Sequence, residues 1–156
     1  MPKVFKFVAS ILLCEGAGIL GSFFTIQSIP TWYATLNKPP FSPPNFIFGP
    51  VWTILYFLMG VSLYLVWESN TAKNKKMGIK LFLAQLGVNS FWSIIFFGYR
   101  SPIGGLVTII LMWFLILKTI QNFQQINKTA ALLLYPYLAW VTFATILNLS
   151  IVLLNP

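Results

Sequence analysis

Five long apolar runs divide this chain, at roughly Val4–Ile29, Phe46–Trp67, Ile79–Tyr99, Ile103–Phe123 and Ala130–Leu154, with short polar or proline-rich stretches between them. Each holds about 20 residues or more, the length an α-helix needs to cross a hydrocarbon core roughly 30 Å thick. In lipid every backbone N–H and C=O must find its partner within the segment, so runs of this length predict helices. The expected fold is an all-α membrane protein, a five-transmembrane-helix bundle. Residues 1–156 form a single membrane domain, with 30–45 as a shaped loop between the first two spans. Composition agrees: 8% of residues are charged, against about 25% in soluble domains.

The net charge of +8 takes its meaning from where the charges sit. Lys3, Lys6, Lys73, Lys75, Lys76, Lys80, Lys118 and Lys128 fall at one end of the expected bundle, and only Lys38 and Arg100 at the other. By the positive-inside rule the N-terminus is expected in the cytoplasm, with the first loop and the C-terminus outside. The lysines read as topology signals and contacts for anionic lipid head groups. No nucleic-acid partner is expected, because no basic stripe lies on a folded soluble surface. The first run is expected to be retained, being too long for a usual signal h-region and lacking an A-x-A-like cleavage site. Cys14 is the single cysteine, so no internal disulfide can form.

The inventory of reactive groups excludes most enzyme classes. With no histidine, His-ligated zinc or haem and Ser-His or Cys-His nucleophiles are impossible. Glu15 and Glu68 are the only acids and belong to different runs, which argues against paired-carboxylate hydrolysis. No Gly-rich loop followed by Lys-Ser/Thr is present, so nucleotide-driven pumping is out. No metal site is expected. Gly16-Ala17-Gly18-Ile19-Leu20-Gly21 matches the dinucleotide fingerprint G-x-G-x-x-G, yet it lies inside a membrane run and lacks the preceding strand that fingerprint needs. Cys14, Gly18, Gly21 and Ser22 instead form a small-residue face, as Ala84 with Gly87 and Gly104 with Gly105 can; such faces join helices within a bundle or across a dimer. Glu15 stands alone at apolar depth, where a charge costs about 2.5–3.5 kcal/mol on insertion scales. It is either a functional carboxyl or a neutral one bonded to a neighbouring helix.

The loop and the helices beneath it carry the strongest pattern. Five prolines (Pro30, Pro39, Pro40, Pro43 and Pro44) fall within fifteen residues and predict a stiff connection. Trp32, Tyr33 and Phe41 give it an aromatic underside. An interfacial aromatic belt accounts for such residues, but a belt does not need so many prolines. Trp52 and Tyr56 share one helix face; Asn89, Trp92 and Phe96 share another; Trp140, Ala144 and Asn148 form a stripe at four-residue spacing. Converging under the loop, these predict a pocket for a large, flat, apolar ligand held by stacking and a few hydrogen bonds. Asn89 and Asn148 need partners at that depth: each other, freed carbonyls, or a ligand.

Trp32-Tyr33 with Lys38-Pro39 and Pro43-Pro44, Gly49-Pro50-Val51-Trp52 with Leu55-Tyr56, Gln85-Leu86-Gly87-Val88-Asn89 with Trp92, Phe96-Phe97-Gly98-Tyr99-Arg100, Leu134-Tyr135-Pro136-Tyr137-Leu138-Ala139-Trp140 and Phe143-Ala144-Thr145-Ile146-Leu147-Asn148 together resemble the translocator protein family, also known as the tryptophan-rich sensory proteins or peripheral benzodiazepine receptors. The resemblance spans nearly the whole chain after the first helix. It implies a five-helix bundle, usually a homodimer, that binds porphyrins, sterols and synthetic isoquinoline carboxamides beneath the first loop. It places Trp52, Asn89, Trp140, Ala144 and Asn148 at the binding site, with Tyr33 and the loop prolines, Pro43 among them, above; the shared helix faces add Tyr56, Trp92 and Phe96. Bacterial relatives degrade protoporphyrin under light, and Trp52 and Trp140 match the tryptophans implicated there. Two departures stand out. The stretch Leu149–Asn155 lacks the Tyr and Arg of the family's sterol-recognition segment, and Thr108 stands where members often carry an Asp.

Three functions follow from the resemblance and the inventory: a tetrapyrrole-binding receptor or sensor, a light-dependent porphyrin-degrading enzyme using Trp52 and Trp140, and a passive transporter of porphyrin or sterol. None requires a resident cofactor; porphyrin is ligand or substrate. Lacking histidine, the chain offers haem iron only Tyr, Met, Cys14 or a carboxylate. Metal-free porphyrin is therefore expected to bind at least as tightly as haem in parallel titrations, and a clear preference for haem with a sharp low-spin spectrum would contradict this.

Overall fold

A computed structural model describes residues 1–156 and contains helices and no strand. Five segments are long and apolar enough to span a membrane. These are α1 (Lys3–Ser28), α2 (Asn45–Glu68), α3 (Lys75–Ser93) continued by a π-helical turn (Ile94–Gly98), α4 (Pro102–Gln124), and a last span built from α5 (Lys128–Leu133) and α6 (Tyr135–Leu154). A 3₁₀ turn, Tyr33–Thr35, sits in the first loop. The third span begins four residues before its apolar run, because Lys75 and Lys76 extend the helix past the hydrocarbon from Asn74, which takes a left-handed conformation at φ 64°. Hydropathy marks the edge of the lipid, and the helix is free to run beyond it.

Alternating directions bring Lys6 of α1 to Glu68 of α2, 3.1 Å apart, and Asn74 to Gln125, 2.6 Å apart, at the lysine-rich end. The first loop and the C-terminus meet at the other. Around the ring, α1 packs on α2 and α3, α4 lies between α3 and α6, and α5 returns to α2. Outside, large apolar side chains such as Leu12, Phe23, Val107 and Phe114 are exposed, as a lipid-facing surface requires. At the lysine-rich end the interior is solid. Phe82 and Phe123 stack at 5.9 Å with an interplanar angle of 7°, and Val66, Ile116 and Ile120 are fully buried beside them.

Local irregularities have local causes. Pro136 cannot donate to the carbonyl four residues back, and the last span breaks there into α5 and α6. Leu134 N–H donates to Ala131 O, which frees the Ala130 carbonyl to accept Ser62 Oγ–H from α2 at 2.7 Å. Pro102 starts α4 at a position that needs no N–H, and Ser101 caps it by accepting from Gly104 N–H at 3.0 Å.

The close approach of α1 to α2 depends on glycine. A Cβ at Gly60 would lie 2.8 Å from Ile11 Cα, whereas one at Gly16 would meet nothing within 4 Å. Gly60→Ala should therefore push α1 away and destabilise the protein by about 1–3 kcal/mol, while Gly16→Ala leaves stability unchanged. Unfolding of both variants in detergent against wild type measures the difference.

Candidate functional site

The half of the bundle away from the lysines encloses a cavity of about 270 Å³. Its walls come from α1 (Glu15, Gly18, Ser22), α2 (Phe48, Trp52, Tyr56), the end of the third span (Trp92, Phe96, Phe97) and α6 (Trp140, Ala144, Asn148), with Tyr33 of the loop above. Trp52 stacks on Tyr56 at 5.6 Å, Trp92 stacks on Phe96 at 5.6 Å, and Trp52 lies 6.4 Å from Trp92. On the facing side Phe48 and Trp140 meet edge-on at 6.4 Å. Ring centroids 4.5–7 Å apart are the favourable range for aromatic pairs, so the walls are rigid, flat and apolar.

Eight of the ten side chains expected at the site line this cavity: Tyr33, Trp52, Tyr56, Trp92, Phe96, Trp140, Ala144 and Asn148. Asn89 and Pro43 do not. Asn89 is buried directly behind the wall, where its Oδ1 accepts from Tyr56 O–H at 2.5 Å and its Nδ2–H donates to Tyr137 O at 2.7 Å. Tyr137 O–H in turn donates to Gln85 Oε1 at 2.7 Å. Asn148 accepts from Trp92 Nε1–H at 3.1 Å and donates to the Pro102 carbonyl at 2.8 Å. Both asparagines thus have protein partners on α2, the third span, α4 or α6. The Trp140 indole N–H is buried with no partner, leaving it free for an acceptor on a bound molecule.

The wall missed in the sequence is α1. Its contribution was legible only as the lone carboxyl of Glu15, which lines the cavity, and as a small-residue face, which divides three ways. Gly18 abuts the Tyr56 ring, Gly21 lies against Ser93, and Ser22 looks into the cavity. Gly104 and Gly105 pack inside the bundle against Ile95 and Phe96, whereas nothing lies within 4 Å of a Cβ at Gly87, which faces outward with Ala84. Ile19 and Ile26 of α1 line the cavity yet are 60% and 69% exposed. The cavity therefore opens sideways, between the second half of α1 and the first half of α2, toward lipid.

The loop above is pinned. Trp32 meets Phe96 edge-on at 5.6 Å, Tyr33 packs on Phe97 at 5.7 Å, and Phe41 on Phe143 at 6.2 Å. Lys38 Nζ donates to the Tyr33 carbonyl at 2.9 Å and lies 4.7 Å over the Tyr33 ring. Burial raises the Tyr33 phenol above its ordinary pKa, and a hydrogen bond with Ser42 offsets part of that rise. At its far side Asn37 N–H donates to Asn155 Oδ1 at 3.0 Å and Asn155 Nδ2–H donates to the Asn37 carbonyl at 2.9 Å, tying the loop to the end of α6.

Five membrane-length helices ringed around an aromatic cavity define an integral, multi-pass membrane protein. Residues 10–154 match the TspO/MBR family, and the chain belongs to it. It is 49% identical to the tryptophan-rich protein TspO of Archaeoglobus fulgidus over 98% of this chain and 99% of the relative. It is 36% identical to the tryptophan-rich sensory protein of Cereibacter sphaeroides over 80% of this chain and 77% of that one. With the human translocator protein it shares 40% identity over 83% of this chain and 78% of the relative.

Asn155→Ala removes the two Asn155 bonds that clamp the loop to α6 and leaves only the longer Asn37 Nδ2–H bond to the Leu154 carbonyl, 3.4 Å. Hydrogen exchange at the Asn37 amide is expected to rise at least tenfold, with protection in α2 and α3 unchanged, as read by exchange mass spectrometry in detergent.

Proposed function

We propose that this protein is a membrane receptor that takes protoporphyrin, and similar flat apolar molecules such as sterols, into the cavity under its first loop. The observation that carries this reading is the set of three tryptophans, Trp52, Trp92 and Trp140, facing one space with Tyr56 and Phe96. A site for an ordinary metabolite needs several convergent polar groups. This one offers broad aromatic faces and few free hydrogen-bonding groups, which suits stacking on a planar ring. At about 270 Å³ the cavity sits at the lower edge of ligand sites, about 300–1,000 Å³, so a macrocycle would extend through the opening between α1 and α2. Its propionates would extend through that opening toward the head groups, since the cavity offers them no cation. The placement of basic residues supports a cytoplasmic N-terminus and an outward-facing loop.

A second reading, light-dependent porphyrin oxidation, is favoured by one further observation: Trp52 and Trp140 both line the cavity, so both oxidisable indoles would contact a bound ring. Dioxygen is the oxidant in this reading. Its two atoms add across one bond of the light-excited macrocycle, with no net electrons drawn from the protein.

Titration of protoporphyrin in the dark, followed by tryptophan quenching, tests the first reading. Saturable binding in the micromolar range is expected, with quenching largely lost in the Trp52→Phe/Trp140→Phe double variant. Overpacking with Ala144→Phe costs about 1–3 kcal/mol, which weakens binding roughly five- to 150-fold. Linear partitioning, identical in all three proteins, would overturn the assignment. Illuminating the saturated sample with and without dioxygen then separates receptor from enzyme.

A further inference from the structure

Glu15 lies near the middle of the 26-residue α1, about 18 Å along the helix from Lys3 at 1.5 Å per residue. It lines the cavity and makes no ion pair; the single salt bridge of the chain joins Lys6 to Glu68. No Lys or Arg lines the cavity, and Lys6, the nearest basic residue on α1, is about 13 Å away along the helix. Most neighbouring polar groups in the cavity are already occupied. Ser22, Thr25 and Thr53 return their hydroxyls to carbonyls of their own helices, Tyr56 donates to Asn89, and Trp92 donates to Asn148. Glu15 is left as the one ionisable acid facing a cavity that otherwise presents aromatic surface. An intramembrane carboxyl held toward a cavity without an internal partner marks a ligand pathway or site more often than a packing role.

We propose that Glu15 is the polar anchor of the cavity and selects flat apolar ligands carrying an amine over neutral molecules of the same shape. The inference rests on the cavity being a ligand site, as proposed above, and extends its ligand class. Gly18, one turn along α1 from Glu15, has no side chain to separate the helix from the Tyr56 ring, and Trp52 stacks on that ring. A planar aromatic group can therefore lie on the Trp52–Tyr56 face with a one-carbon amine substituent reaching the carboxyl. The opening between α1 and α2 admits such a molecule from the lipid as its free base. The amine and the carboxyl then share one proton, and the pair is net neutral whichever partner holds it. No net charge has to be carried to the bilayer centre, where an isolated ion is costly.

The test compares 1-pyrenemethylamine with 1-pyrenemethanol, equal in shape and differing in the amine. Binding is read by energy transfer from tryptophan, with the protein in phosphatidylcholine nanodiscs. Wild type is expected to bind the amine at least tenfold more tightly than the alcohol, about 1.4 kcal/mol. Glu15→Gln should bring the amine to the alcohol's affinity and leave the alcohol unchanged, which also shows that the cavity has survived the substitution. Glu68→Gln should keep the tenfold preference. Equal binding of both probes to wild type, or a preference that persists in Glu15→Gln, overturns the role of Glu15 and leaves the cavity as a ligand site. If neither probe binds wild type saturably, the ligand-site reading falls and this proposal with it. Should Glu15→Gln lose both probes, Glu15→Asp decides: a retained preference supports the anchor, and its loss overturns it.

Discussion

The chain of buried hydrogen bonds from Tyr56 through Asn89 and Tyr137 to Gln85 sets the register of three spans, and the shape of the cavity depends on it. Interhelical bonds in membranes contribute on average about 0.6 kcal/mol, and at most about 1.7. Three of them do not hold five helices together. Their effect lies in what they forbid. An amide or phenol left unpaired in hydrocarbon costs several kcal/mol, more than any single bond contributes. Sliding α2, the third span or α6 by one turn would orphan at least two of these groups at once. The chain also forms the boundary between the two halves of the bundle. On its lysine-rich side lie the tightly stacked Phe82 and Phe123, and on the other Tyr56 turns its ring to the open space.

Above that boundary the aromatic walls stay apart because the backbone departs from regular helix where it must. Tyr99 N–H donates to Ile94 O, five residues back, widening the turn so that consecutive Phe96 and Phe97 are both buried rather than one facing lipid. The Phe97 carbonyl is not left bare, since Ser28 Oγ–H donates to it at 2.6 Å. This bond anchors the end of α1 as the chain enters the loop. A π turn, a proline break and a side-chain hydroxyl placed at each freed carbonyl recur at Ser28 and at Ser62. In lipid, irregular backbone is tolerated only where such partners are supplied.

How much of this was legible beforehand follows from the same physics. Runs such as Ile103–Phe123 revealed their helices because hydrocarbon permits little else, and α4 differs from its run by one residue at each end. Stripes at four-residue spacing correctly brought Trp140, Ala144 and Asn148 to one face, since periodicity alone decides which residues share a face. Periodicity does not decide how far a side chain reaches past its neighbours. Asn89 shares a face with Trp92 and Phe96, yet Tyr56 covers it, and its amide belongs to the protein's own bonds. The α1 wall was hidden for a related reason. Glycine and serine carry too little apolar signal to mark a pocket, and the space they leave becomes visible only when the Tyr56 ring is seen against Gly18. The π turn had no signal in the sequence.

The contact between α1 and α2 explains where along their seam the cavity opens. At Gly60 the backbone of Ile11 comes so close that a methyl group would collide with Ile11 Cα, and at Gly18 the glycine receives the Tyr56 ring. The first joins the first half of α1 to the second half of α2, and the second closes the seam near the middle of both helices. Beyond them α1 presents Ser22 and Ile26, and α2 presents Thr53 and Gly49, small or partly exposed groups that do not fill the gap. Two other seams are closed by bulk: Phe96 against Gly105 between the third span and α4, and Trp113 bonded to Thr142 between α4 and α6. Small residues thus act in opposite ways on one helix. Where a neighbouring backbone or ring can reach them they draw two helices together, and where none can they leave a window. Glu15 lies one turn before Gly18, between the two contacts of the joint, and lines the cavity that the window opens.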